Sequence, residues 1–313
     1  MIRSRRRREG PTPGVGPPSP ARASPDKVTT PPEEGTQTTV SRLGGSWRPQ
    51  RLVVVLRRAG PVLAYVLPAV VALVLVATGW ELWTRVADIK PYLVPRPSVV
   101  LSRLFGDLGF FVRHGGTTLW EAQSGFGLGS TVALVGATLM AHSRLLERGL
   151  FPVAVLVKVT PLVAYAPLFV IWFGFGSMPK VLIAALITFF PVLVNAMIGF
   201  RSVNPGALDL FHSLRASRAE VFLKLRVPSS LPYLFAAFRI SIPLSVIGAT
   251  VGEYFSGGDR GLGSVIIVAH YNLDMPTLFS AGLTLAFIGI GLTLMTSFLE
   301  RRVLFWHEST IVT

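Results

Sequence analysis

Lys158 and Glu253 are ionisable side chains set within or at the edge of long apolar runs. Charge inside a membrane span is costly and marks an ion or solute path by default. Thr160, Thr188 and Asn195 bring hydroxyl and amide groups close to Pro161 and Pro191. Prolines there, with Pro167 and Pro243, free backbone carbonyls that can line a cavity. Lys158, Thr160, Thr188, Asn195 and Glu253 are therefore candidate contacts for a passing solute, and Lys158 would suit an anion. Plainer readings stand beside this one. Lys158 can snorkel to a nearby interface, the prolines can simply kink packed helices, and Glu253 can pair with Arg260.

Several other chemistries have no residues to carry them. The chain has no cysteine, so disulfides, zinc thiolates and cysteine nucleophiles are excluded. Its five histidines are scattered and no HExxH occurs, which argues against a metal site. Gly125–Ser130 reads GFGLGS, close to a dinucleotide fingerprint, but it lies inside an apolar run with no strand before it. Gly125, Gly129, Ala133 and Ala137 recur every fourth residue instead, as on a close-packing helix face. Gly174–Lys180 reads GFGSMPK and lacks the Walker A spacing and its hydroxyl.

The elements that must position these residues are spanning helices. Half the residues are apolar and only 15% are charged, and the apolar ones fall in runs of spanning length. Six runs qualify: Pro61–Trp83, Thr117–Ala141, Leu150–Phe173, Val181–Phe200, Tyr233–Phe255 and Leu278–Leu299. The expected fold is an all-α membrane protein with about six transmembrane helices. Residues 1–57, rich in Pro, Arg, Ser and Thr, are expected to be a disordered basic tail. Residues 58–308 form the expected transmembrane domain.

The net charge of +14 suits a positive cytoplasmic face better than nucleic acid, for which no recognition module is present. The tail and the basic stretch after the fourth run place both termini in the cytoplasm of a multi-pass protein of the plasma (inner) membrane. Ser98–Phe111 is amphipathic and expected to lie along the membrane surface.

The stretch 201–232 is too well punctuated for a linker. Asn204-Pro205 starts a short helix through Asp209 to about Leu214. Ser217 and Glu220 have capping-box spacing and start a second, with Val221, Phe222 and Leu225 on one face and Arg218, Lys224 and Arg226 around it. Pro228 is expected to stop that helix and Pro232 to open the next span. Two short helices at a membrane surface are what a partner's groove can grip.

Asp209-Leu-Phe-His-Ser-Leu-Arg215, nine residues, then Leu225-Arg226-Val227-Pro228 resembles the "EAA" loop of permease subunits of ATP-binding-cassette importers. Ser217-Arg218 with Val221-Phe222, Leu93–Leu101, Thr160–Gly176, Lys180–Pro191, Gly261–Gly263 and Leu299–Trp306 look like the nitrate/sulfonate/taurine branch. The resemblance implies a homodimer, a separate ATPase subunit that uses the ATP, and an extracytoplasmic solute-binding protein. This chain would then be no enzyme and hold no cofactor. The resemblance also implies a coupling role for Asp209, Arg215, Ser217, Arg218, Glu220, Val221, Phe222, Lys224, Leu225 and Pro228. Phe222 is expected as an apolar anchor in the ATPase groove, with Arg218 and Lys224 as rim charges. Family members usually carry glycine where Arg215 stands and alanines at Leu210 and Phe211.

The alternatives are an ATP-independent secondary transporter or another polytopic membrane protein; the transporter is the sharper rival. It would need buried acidic relays or internal repeats, and neither stands out in the sequence.

Overall fold

The structure is a computed structural model that describes residues 51–258 and 260–305, with side chains from Leu67 onward. Residues Pro61–Thr313 form one compact unit, and Met1–Gly60 fall in another. Helix α1 (Arg51–Val86) begins inside the stretch read as a tail to residue 57; the rest of that stretch lies outside the described residues.

Helix α2 (Pro97–Gly106) is followed by α3 (Leu108–His142), α4 (Arg144–Val159), α5 (Leu162–Phe173) and α6 (Ser177–Arg201). Then come the short α7 (Pro205–Ser213) and α8 (Arg218–Val221), and a π-helical turn over Phe222–Arg226. The last described helices are α9 (Val227–Ser256), α10 (Leu262–Tyr271) and α11 (Met275–Val303). Among the described residues, five helices are long and apolar enough to cross a membrane, and the pair α4 and α5 makes a sixth candidate.

The run Leu150–Phe173 is not one straight span: α4 and α5 meet at 98°. Thr160 precedes Pro161 and is extended (ψ 129°), because the proline ring disfavours the helical conformation in the residue before it. The stretch Ser98–Phe111, expected to lie along the membrane surface, is divided between α2 and α3. It breaks at Gly106–Asp107, where Asp107 caps α3 by accepting from the Phe110 N–H. The α2 face carrying Val100 and Leu104 is buried, and Ser280 of α11 donates to the Val100 carbonyl.

The core is a layer of α3, α6 and α9, with α6 central. Small residues let the backbones meet. A Cβ on Gly129 would strike the Ala185 carbonyl of α6, and Ala133 and Ala137 are fully buried along the same face. On the other side of α6, a Cβ on Gly248 would stand 2.7 Å from the Ala184 Cα. Phe200, Met197, Leu193 and Val192 of α6 build the apolar cluster nearest the 201–232 loop, with Ala237 and Leu234 of α9. Helix α1, in contrast, exposes Leu73, Leu75 and Val76, as a lipid-facing helix does.

Candidate functional site

The loop folds as two capped helices. The Asn204 side chain accepts from the Gly206 N–H at 2.8 Å, and Pro205 sits where no donor is needed. At the other end of α7, Ala216 N–H bonds to the Phe211 carbonyl at 3.0 Å and Arg215 N–H to that of His212 at 2.9 Å. This pairing is a Schellman closure, and it requires a left-handed residue at its turn. Arg215 is that residue, with φ +54°. It adopts the bend that glycine would take more readily, at a cost of about 1 kcal/mol.

Ser217 then opens α8 with a complete capping box. Its hydroxyl accepts from Glu220 N–H at 3.2 Å, and Glu220 Oε2 accepts from Ser217 N–H at 3.0 Å. From Arg218 to Ser256 the helical path is 39 residues, roughly twice what the hydrocarbon core needs. Its charged beginning, Arg218 to Arg226, therefore projects outside the bilayer. The Ser217 amide, helped by the Lys224 ammonium, holds the Glu220 carboxyl well below its usual range, at about 2.

Pro228 does not end this helix, contrary to expectation, and Pro232 lies inside α9. The π turn explains why. Val227 N–H bonds five residues back to the Phe222 carbonyl. That extra residue in the turn relieves the register in which a proline would clash with the preceding carbonyls.

Phe222, expected as an anchor in a partner's groove, packs in part on its own chain. Its half-buried ring lies 5.2 Å from the Phe200 ring and 5.0 Å from His142, against the core of α3, α6 and α9. Val221 is buried and Leu225 half-buried on the same side. The apolar side chains offered outward are Leu210, Leu214 and Leu223, which are 58%, 71% and 64% exposed. Asp209 and Arg218 are exposed with no ion-pair partner among the described residues, Lys224 pairs with Glu220 at 3.1 Å, and Pro228 is exposed. The signal for the outward leucines was present in the sequence, since Leu210 of α7 and Leu214, the residue that caps it, stand four apart.

The five candidate path residues divide into three places. Lys158, Thr160 and Asn195 line one cavity of about 540 Å³ at the α4–α5 elbow, with Ile187, Phe190 and Leu244. The Lys158 ammonium sits 4.4 Å over the Phe190 ring, a cation–π contact. Pro191 supplies no N–H to the Ile187 carbonyl, and Asn195 Nδ2 donates to the Pro191 carbonyl at 2.8 Å. Thr188 is elsewhere: it is buried, bonded to the carbonyls of Ala184 and Ala185, and packed toward Gly129. Glu253 is also elsewhere, at the end far from the loop, and does not pair with Arg260. It accepts from the Thr118 hydroxyl at 2.7 Å and from the Gly263 N–H at 2.5 Å.

Sequence reasoning missed a buried ion pair beside Glu253. Lys180 of α6 lies 3.2 Å from Glu121 of α3, both side chains at most 5% exposed. The available signal was Glu121 itself, an acid within an apolar run, one turn from Thr118.

The sequence matches the family described as binding-protein-dependent transport system inner membrane component over residues 125–305. It is similar to the riboflavin transport system permease protein RibX of Chloroflexus aurantiacus, at 36% identity over 76% of this chain and 90% of that protein. It is also similar to the taurine transport system permease protein TauC of Escherichia coli, at 30% identity over 75% of this chain and 88% of that protein. Among solved structures, a chain of the MetNI methionine ABC transporter in an inward-facing conformation shares the fold. It has a TM-score of 0.56 and 15% identity, over 63% of this chain and 98% of that one.

Proposed function

This chain belongs to the binding-protein-dependent inner-membrane permeases of ATP-binding-cassette importers, of the nitrate/sulfonate/taurine type, and from that premise we propose that two copies enclose the solute path between their α4–α5 elbows. The protein is a multi-pass membrane permease, and ATP is hydrolysed on a separate subunit.

The observation that carries the proposal is the shared cavity of Lys158, Thr160 and Asn195. Lys158, Leu156 and Val159 are exposed on that face. A lysine open to lipid at that depth would be costly, whereas a lysine facing a second copy across a water-filled path is not. The ATPase grips Leu210, Leu214 and Leu223 from the cytoplasm, and both termini lie on that side. Arg218 and Lys224 rim that patch.

The solute is small and presents oxygen acceptors to Lys158. A sulfonate anion, such as the taurine of the relative named for it, meets that demand by charge. A flat ring with carbonyl oxygens, such as the riboflavin of the other, meets it by hydrogen bonding and by stacking near Phe190. The fold and the bent elbow are common to both readings.

Cross-linking tests the arrangement, because the chain has no native cysteine. Val159→Cys is expected to yield a cross-linked pair of permease chains in membranes, while Leu73→Cys on α1 yields none. A Leu73 cross-link without a Val159 one would overturn the proposed face.

A further inference from the structure

Far from the loop, four elements meet around a buried polar cluster. Helix α3 contributes His114, Thr118 and Glu121; α6 contributes Lys180, with Ser177 at its start; α9 contributes Glu253; and the turn at Gly261 enters α10 through Leu262 and Gly263. Glu121 and Glu253 are fully buried, and Lys180 is 4% exposed.

Glu121 Oε1 is well served, by Lys180 at 3.2 Å and by the Ser177 hydroxyl at 2.8 Å. Glu121 Oε2 is buried and has no hydrogen-bond partner among the described residues. Glu253 spends its two oxygens on the Thr118 hydroxyl and the Gly263 N–H, and Thr118 stands one turn before Glu121 on α3. The surrounding groups do not balance the charges. The Lys180 ammonium also reaches the Arg260 carbonyl, at 3.4 Å. His114 accepts the Gly261 N–H through Nδ1, so it brings no positive charge. The side chains of Arg113 and Arg260 border the adjoining cleft, but neither is within ion-pair distance of the carboxyls among the described residues.

Two buried carboxyls thus face one ammonium. A second carboxylate without a counter-charge is costly by several kcal/mol. One proton removes that cost and also gives Glu121 Oε2 the donor it lacks.

We propose that Glu121 and Glu253 form a proton-binding site that holds one shared proton at neutral pH, and that this proton locks the Gly261–Gly263 turn to α3 and α9. The turn is tightly held: Gly261 has φ +110°, a Cβ there would strike the Glu253 carboxyl, and Leu262 N–H donates to Thr118 at 2.8 Å. Loss of the proton leaves two facing carboxylates, whose repulsion loosens the turn. The turn is therefore held less firmly as pH rises past neutrality.

The test is infrared spectroscopy of the purified importer complex, with thermal unfolding across neutral to alkaline pH. A protonated-carboxyl C=O band that exchanges slowly in deuterium oxide is expected at neutral pH, and is lost in Glu253→Gln. The amide of Glu253→Gln carries no charge and its oxygen can still accept from the Gly263 N–H, so this variant is expected to stay folded and to lose the alkaline fall in melting temperature. Glu121→Gln is the second variant, expected to lose the same band. Absence of the band in the unaltered protein would overturn the proposal, as would a band that survives both substitutions. So would a melting temperature that follows sodium or potassium against choline at fixed pH, which would assign a metal cation to the site in place of the proton.

Discussion

The Phe222 ring, just past the second loop helix, stands 5.2 Å from the Phe200 ring at the end of α6. One aromatic contact thus joins the loop that projects from the membrane to the most central spanning helix. The loop meets the bundle at this contact and along the continuous helical path from Arg218 into α9.

Phe222→Ala is expected to separate gripping from transmission. The substitution removes a half-buried ring from the core cluster, at about 1–3 kcal/mol, less than the loss of a fully buried phenylalanine. ATPase subunits should still co-purify while ATP-driven uptake falls. Loss of co-purification with an intact melting profile would instead place the ring in the partner's groove.

Leu214→Glu and Leu223→Glu act on the outward face. Each sets a charge in the apolar patch assigned to the ATPase, and co-purification is expected to fall at least tenfold without loss of membrane insertion. Undiminished co-purification in the double variant would remove that patch from the interface.

At Arg215 the expected order is set by the left-handed backbone. Arg215→Gly should keep full uptake and raise the stability of the loop by up to about 1 kcal/mol. Arg215→Val, with a branched Cβ at φ +54°, should reduce uptake. Equal uptake in both variants would show that the bend is not needed for coupling.

The capping box gives a graded effect. Ser217→Ala is expected to cost about 0.5–2 kcal/mol of helix-start stability and to lower uptake in part. The Glu220 carboxyl, held at about 2 against its ordinary 4.5, contributes above the higher value and is lost only as pH falls toward the lower one. Loop stability should therefore be flat between pH 6 and 8 as far as Glu220 is concerned, and Glu220→Gln should weaken it throughout that range. A step near neutral pH that Glu220→Gln abolishes would contradict this.

Much of this was legible in the sequence where local rules decide. Asn204-Pro205, Ser217 with Glu220, and Thr160-Pro161 each act over a few residues, and the structure places a cap or a break at each. The four-residue spacing of Gly129, Ala133 and Ala137 likewise marked the face that packs on α6. What was not legible depends on neighbours distant in sequence. Pro228 reads as a stop until a π turn carries the helix past it. The inward packing of Phe222 depends on Phe200 and His142, which come from other helices. The partnership of Glu121, Lys180 and Glu253 joins three helices, and no spacing rule within one helix reveals it.

The central claim is that solute passes the α4–α5 elbow beside Lys158. ATP-driven uptake by the reconstituted importer, compared between the unaltered chain, Lys158→Gln and Lys158→Arg, tests it most directly. Uptake should fall at least about tenfold in Lys158→Gln and be partly restored in Lys158→Arg, with ATPase co-purification unchanged in both. Uptake in Lys158→Gln equal to that of the unaltered chain would contradict it.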